Sequence, residues 1–144
     1  MKRVYRHEAN EAYWDRRWAE AGSDSDAFTD LSIYPIRYAE MVMTDPAAQA
    51  LEIGCGLGRV LKHYARLGFH VSGLERSRVA VASLQMETPP LDVVEGDVMN
   101  LPYAAGEFDV VMAFDVYHNL ENGIEQALAE TARVLRAGGR FAIS

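Results

Sequence analysis

Short apolar segments alternate with amphipathic ones from residue 49 onward. Apolar segments such as 108–114 are nearly continuous, which is typical of strands buried on both faces. Strands joined by helices run parallel, because each crossover returns the chain to the same end of the sheet. The pattern predicts a doubly wound, mostly parallel α/β sheet. Its strands are expected at 49–53, 70–74, 91–95, 108–114 and 140–143, and its helices at 59–67, 77–86 and 124–136.

The first 48 residues have a different pattern. Trp14, Trp18 and Ala21 recur at helical spacing and predict a helix over 7–21. A second helix is expected to begin near Pro35, because proline is tolerated in a first turn, and to end near residue 43. We therefore expect a helical cap at 1–48 and a ligand-binding core at 49–144, within a single domain.

Composition excludes several classes of protein. The net charge of −7 argues against a nucleic-acid-binding face. Cys55 is the single cysteine, so no intrachain disulfide forms, as is usual for a cytoplasmic protein. The N-terminus lacks the apolar stretch of a secretory signal, and no apolar run reaches the ~20 residues of a membrane span. No cluster of His and Cys has metal-binding spacing, and no hydrolase elbow is present.

A glycine-rich loop follows the first predicted strand, and three acids, Glu52, Glu75 and Asp97, lie at or near the carboxyl ends of the first three strands. Gly54, Gly56 and Gly58 lead from the first strand into a helix, and glycines there let a ligand approach the backbone. Glu75 ends the second strand, where a carboxylate accepts hydrogen bonds from ribose hydroxyls. Asp97 follows the third strand and is placed to accept from an adenine amine. In such sheets ligands bind beyond the carboxyl ends of the strands, where this loop and these acids lie. The pattern therefore predicts an adenosine-containing cofactor.

A nicotinamide dinucleotide is the main competitor as ligand. Its fingerprint requires a third glycine three positions after the second. Counted from Gly54, that position is Arg59. The glycine spacing therefore disfavours this alternative.

Three stretches resemble the class I S-adenosylmethionine-dependent methyltransferases, and in particular the type 11 methyltransferase domain group. LEIGCGLGR resembles the first motif of that family. GDVMNLPYAAGEFDVVMAFDVYHNL resembles the next two motifs, and AETARVLRAGGRFAIS resembles the helix, turn and fifth strand that follow. The resemblance covers about residues 49–144. It implies the strand order 3-2-1-4-5, S-adenosyl-L-methionine as cofactor, S-adenosyl-L-homocysteine as product and a small molecule as methyl acceptor.

The resemblance also implies roles for particular residues. The methionine end of the cofactor is expected near the loop, the ribose at Glu75 and the adenine between Arg76, Asp97 and Val98. Phe114 is expected to offer its backbone carbonyl to the cofactor's ammonium group. The aromatic residues of the N-terminal segment are expected to cover the site. The full set of expected cofactor-binding residues is Glu52, Gly54, Cys55, Gly56, Glu75, Arg76, Asp97, Val98, Phe114, Tyr13, Trp14 and Trp18.

His118, beyond the fourth strand, is the candidate base for removing a proton from the acceptor. A histidine that only shapes this loop is the alternative, with Asp115 and Tyr117 as weaker candidates for the base.

Two other functions of the chain stay open: a domain that binds the cofactor without catalysis, and an aminopropyl transferase. The second is disfavoured because Asp115 is the only acid near the fourth strand before Glu121.

The family's sheet normally continues beyond the fifth strand, whereas this sequence stops at Ser144. We therefore expect a core truncated at its C-terminus. The exposed edge of the fifth strand is expected to promote self-association, because an unpaired edge is a template for pairing with another chain.

Overall fold

A computed structural model describes residues 11–21 and 34–144. In chain order it contains helices α1 (Glu11–Ala21) and α2 (Tyr34–Glu40), strand β1 (Ala50–Ile53), helix α3 (Arg59–Arg66), strand β2 (Val71–Glu75), helix α4 (Arg78–Gln85), strands β3 (Val93–Glu95) and β4 (Phe108–Ala113), a 3-10 turn (Tyr117–Asn119), helix α5 (Ile124–Val134) and strand β5 (Leu135–Ile143).

The five strands form one parallel sheet in the order β3-β2-β1-β4-β5, which confirms the predicted fold. Helices α2, α3 and α4 pack on one face of the sheet and α5 packs on the other. Successive side chains of a strand point to opposite faces. In β1, Ala50 therefore packs beneath α3, whereas Leu51 and Ile53 pack on the α5 side.

The largest departure from the sequence prediction lies between α5 and β5. The helix was expected to reach residue 136, but it ends at Val134, and the strand begins at Leu135 rather than at Arg140. Leu135 pairs with Phe108, and the register of the ladder then shifts. Gly138 and Gly139, which lie between the predicted helix and the predicted strand, fall in this irregular part of β5.

Sterics explain the glycine at position 139. A Cβ atom there would lie 2.8 Å from the carbonyl oxygen of Arg136 and 2.9 Å from that of Asp109. The irregular turn of the strand therefore requires a glycine, and helical periodicity does not reveal this requirement.

Smaller departures affect the ends of other elements. Residues 7–10 of the first predicted helix lie outside the described residues, and α2 ends at Glu40 rather than near 43. Strand β5 forms one edge of the sheet. Self-association through that edge stays a prediction.

Candidate functional site

The glycine-rich loop joins β1 to α3 at the carboxyl edge of the sheet. Gly54, Gly56 and Gly58 have φ angles of +69°, +54° and +79°, a region that favours glycine. A Cβ atom on Gly54 would also lie 2.5 Å from the Val116 side chain. The loop thus needs glycine for its own conformation, and Gly54, which is exposed and lines a cavity, is where a ligand can approach the backbone closely.

Glu52 lies near the end of β1 and faces α3. Its side chain is buried, and its Oε2 accepts a hydrogen bond of 2.9 Å from the backbone N–H of Leu61. Burial raises the pKa of Glu52 to about 8, because a charged carboxylate loses its hydration there. Glu52 is therefore largely protonated at neutral pH.

Glu75 ends β2, beside the glycine loop. Its Oε2 accepts a hydrogen bond of 2.8 Å from Gly56 N, and its Oε1 accepts bonds of 2.9 Å from Arg76 N and Ser77 N. Burial raises the pKa of Glu75, while the three backbone donors act in the opposite direction. This side chain therefore ties the glycine loop to the segment that leads into α4.

Asp97 and Val98 follow β3, as expected. Asp97 Oδ1 accepts a hydrogen bond of 2.9 Å from Met99 N, and its Oδ2 lies 3.6 Å from Arg76 Nη2. The side chain of Val98 is buried, whereas those of Arg76 and Asp97 are nearly half exposed. Glu75 and Asp97 thus lie on adjacent loops, with Arg76 between them.

A cavity of about 540 Å³ lies beside the glycine loop. Among the predicted residues, its walls include Glu52, Gly54, Cys55, Phe114 and Trp18. The loop after β2, with Glu75 and Arg76, and the loop after β3, with Asp97 and Val98, are called the acid loops, and they are not part of these walls. The predicted site therefore has two parts, a cavity beside the glycine loop and a polar surface at the acid loops, and the Gly56–Glu75 hydrogen bond connects them.

Several cavity residues were not predicted from the sequence. They include Arg17 and Glu20 of α1, Pro35 of α2 and Arg59 at the start of α3. Arg59 belongs to the LEIGCGLGR stretch but was assigned no role in binding. No motif marks the positions in α1 and α2, because they reach the cavity only through the packing of these helices against the core.

Cys55 contributes its position in the loop rather than a reactive thiol. Its side chain packs in the core, and a Cβ atom on Gly73 would lie 2.9 Å from its Sγ. Burial raises the thiol pKa well above its ordinary value. The thiol is therefore protonated and poorly nucleophilic, in agreement with a small residue at a turn.

The three aromatic residues of α1 differ in position. A Cβ atom on Gly56 would lie 2.8 Å from Cζ2 of Trp18, so the indole ring covers the glycine loop. Trp14 stacks on Trp18 with ring centroids 5.6 Å apart, and Tyr13 contacts Trp14 edge-on. Trp18 is thus the aromatic residue of α1 that borders the cavity, and the other two stand behind it.

The loop after β4 contains the candidate base. Asp115 has a φ angle of +58°, unusual for a residue other than glycine, and its carbonyl accepts a 2.6 Å hydrogen bond from Asn119 Nδ2. Asp115 lines the cavity, whereas His118 is more than half exposed, with its Nε2 3.9 Å from Asp115 Oδ1. Tyr117 is buried and its hydroxyl lies 2.5 Å from Thr131 Oγ1, so this side chain serves packing.

Two other kinds of feature are absent from residues 11–21 and 34–144. No helix in these ranges has the length and apolar content to span a membrane. Nor do three or more His, Cys, Asp or Glu side chains in these ranges group as a metal-binding cluster.

Comparison with known proteins agrees with this geometry. The family described as "Methyltransferase domain" matches residues 51–143. An uncharacterized methyltransferase of Synechocystis is 30% identical over 105 residues, which cover 72% of this chain and 50% of that protein. A phthiotriol/phenolphthiotriol dimycocerosates methyltransferase of Mycobacterium tuberculosis is 34% identical over 97 residues, which cover 65% of this chain and 36% of that protein. The chain thus spans half or less of the length of these curated relatives.

A solved structure supports both the fold and the cofactor class. The TehB-like S-adenosylmethionine-dependent methyltransferase of Corynebacterium glutamicum superposes with a TM-score of 0.70 and 26% identity, covering 93% of this chain and 73% of that one. The matched region contains the glycine loop, both acid loops and the sheet that positions them. The chain therefore belongs to the class I S-adenosylmethionine-dependent methyltransferases.

Proposed function

We propose that this chain binds S-adenosylmethionine along the carboxyl edge of its sheet and transfers the methyl group to a small-molecule acceptor. One observation carries the proposal: Glu75 is a buried carboxylate hydrogen-bonded to the glycine loop at the end of the second strand. A carboxylate in this position binds the ribose hydroxyls of an adenosine. The polar loops and the neighbouring cavity then provide room for the two ends of the cofactor.

Each part of the site suits a different part of the cofactor. The adenosine half suits the acid loops, where Asp97 offers a carboxylate and Val98 an apolar surface. The methionine half suits the cavity walls at Glu52, Gly54 and Phe114. Two positively charged groups belong to this half of the cofactor, the ammonium and the sulfonium, so its binding would favour the ionised form of Glu52.

The helices before residue 49 have a separate role in the proposal. We assign residues 1–48 to a cap over the site and residues 49–144 to the core that binds the cofactor. Trp18 supports this division, because its ring covers Gly56 and borders the cavity. A cap of this kind excludes water from the reacting groups.

The bound cofactor supplies an activated methyl group whose sulfonium is already a good leaving group. The protein's task is to align the acceptor with that methyl group and to exclude water. Where the acceptor carries a proton, His118 takes it as a general base. Asp115 supports this role, because it lines the cavity and its Oδ1 lies 3.9 Å from His118 Nε2.

Calorimetry with S-adenosylmethionine, S-adenosylhomocysteine and NAD in parallel tests the proposal. We expect both sulfur compounds to bind and NAD to fail, because the loop lacks the glycine spacing of a dinucleotide site. Binding of NAD alone, or of none of the three, would contradict the proposal. Cofactor binding without methyl transfer to a broad panel of small hydroxyl, amine and thiol acceptors would favour the binding-domain alternative.

A further inference from the structure

Asp15 connects the cap helix α1 to the start of α4. Its Oδ1 accepts a hydrogen bond of 2.5 Å from the hydroxyl of Ser77 and a longer one of 3.4 Å from the backbone N–H of Val79. Ser77 precedes the first residue of α4, where backbone N–H groups lack partners within the helix. A carboxylate is favourable there, because the helix dipole leaves partial positive charge at this end.

Ser77 also contacts the proposed ribose acid. Its backbone N–H donates to Glu75 Oε1 at 2.9 Å, while its hydroxyl donates to Asp15. Ser77 is fully buried, and its Oγ additionally accepts a bond of 3.3 Å from Ala80 N. One buried residue therefore joins the carboxylate expected to hold the ribose with the helix expected to cover it.

Trp18 makes a second contact between α1 and the residues around Glu75. Trp18 lies three residues after Asp15 on α1, and its ring covers Gly56. The same Gly56 donates its backbone N–H to Glu75 Oε2. The two contacts of α1, through Asp15 and through Trp18, thus converge on the two oxygens of the Glu75 carboxylate.

We propose that Asp15 is a positioning residue for the cofactor: it latches α1 onto Ser77 and so retains the cofactor bound at Glu75. This inference rests on the proposed function. The cofactor enters while α1 is undocked, and the Asp15–Ser77 hydrogen bond then closes α1 over the glycine loop. Loss of the latch should chiefly raise the dissociation rate of the cofactor.

A matched acid on the same helix provides the control. Glu11 lies one turn before Asp15 and pairs with Arg78 at 3.5 Å, but both side chains are about half exposed or more. Exposed ion pairs contribute little to stability. Removal of Glu11 should therefore leave the docking of α1 nearly unchanged.

The test compares Asp15→Ala, Asp15→Asn and Glu11→Ala with the wild type. We expect Asp15→Ala to weaken S-adenosylhomocysteine binding by about tenfold, mostly through faster dissociation, because a hydrogen bond to a charged group is lost. Asp15→Asn keeps an oxygen that accepts from Ser77, so its effect should be smaller. Glu11→Ala should change the dissociation constant by less than about twofold.

A second readout needs no ligand. Both tryptophans of the chain, Trp14 and Trp18, lie in α1, so the intrinsic tryptophan fluorescence reports on this helix alone. We expect acrylamide to quench the fluorescence of Asp15→Ala more strongly than that of the wild type or Glu11→Ala. A cooperative thermal melt of each variant establishes that the core remains folded.

The outcomes separate this inference from the proposed function. Wild-type protein that binds neither S-adenosylmethionine nor S-adenosylhomocysteine would overturn both. If the wild type binds but Asp15→Ala matches Glu11→Ala in affinity and quenching, only the latch is wrong. Tighter binding by Asp15→Ala would also overturn the latch, because α1 would then obstruct the site rather than close it.

Discussion

Glu52 and Glu75 lie on adjacent parallel strands, and each is only 5% exposed, yet their surroundings differ. Glu52 accepts one backbone hydrogen bond, and burial raises its pKa to about 8. Glu75 accepts three, which counteract the effect of burial on its pKa. Burial raises the pKa of both carboxyl groups, and three backbone donors oppose that rise at Glu75, whereas one does so at Glu52.

The difference in backbone hydrogen bonding between Glu52 and Glu75 distinguishes the two parts of the proposed site. The acid loops around Glu75 form a preorganised polar surface, suited to neutral hydroxyl groups. The cavity beside Glu52 contains a carboxyl group that is protonated without a ligand and is expected to ionise when a cation arrives. Four predictions test this comparison, in order of decreasing effect.

Replacement of Glu75 by alanine should have the largest effect. The change leaves three backbone N–H groups without their acceptor and should lower the free energy of unfolding by about 3 kcal/mol. The affinity for S-adenosylhomocysteine should fall by about 10- to 100-fold in calorimetry. Glu95→Ala is the matched control, because Glu95 pairs in register with Glu75 but is exposed. An unchanged dissociation constant for Glu75→Ala would remove Glu75 from the site.

The pH dependence of stability should identify Glu52. Its folded pKa of about 8 exceeds the ordinary value of 4.5, so the folded state holds the proton more tightly. The resulting stability is fully present below pH 4.5 and is lost as the pH rises through 8. The loss between pH 6 and pH 8 should be about 2 kcal/mol.

Glu52→Gln provides the comparison for this measurement. Glutamine keeps an oxygen that accepts from Leu61 N but does not titrate. Urea unfolding at pH 6 and pH 8 should therefore show a smaller loss in the variant than in the wild type. Equal losses would mean that Glu52 is ionised throughout this range and that the two acids do not differ as described.

Replacement of Trp18 by alanine tests the cover over the glycine loop. Loss of the ring above Gly56 should weaken S-adenosylhomocysteine binding by about 1 kcal/mol, because a large apolar contact is removed. Trp14→Ala should have less effect on affinity, since its ring stacks behind Trp18. If both variants bind as tightly as the wild type, α1 does not cover the ligand.

Replacement of Asp97 by alanine should have the smallest effect. Its side chain is 46% exposed and lies 3.6 Å from Arg76, so solvent weakens its interactions. We expect the affinity for adenosine-containing ligands to fall by about 1 kcal/mol or less, with the melting temperature nearly unchanged. A loss as large as that of Glu75→Ala would show that the adenine contact dominates instead.

The sequence alone predicted the architecture, and it placed the glycine loop and the acids at the carboxyl edge of the sheet, where we propose that the cofactor binds. Apolar alternation and the glycine loop are local signals, and the order β3-β2-β1-β4-β5 followed from them together with the family resemblance. Glu75 and Asp97 were predicted at strand ends and are found there. Local patterns succeed here because strand period and turn chemistry depend on neighbouring residues, and because right-handed crossovers between successive strands make the sheet parallel.

Only the tertiary structure decided the start of β5, the raised pKa of Glu52 and the hydrogen bond between Asp15 and Ser77. The Gly139 turn depends on carbonyl groups contributed by two separate segments, and the pKa of Glu52 depends on burial beneath α3. Asp15 and Ser77 are 62 positions apart, and no periodicity relates them. Contacts of this kind arise when separate elements pack together, so their energies depend on distances that the order of residues does not specify.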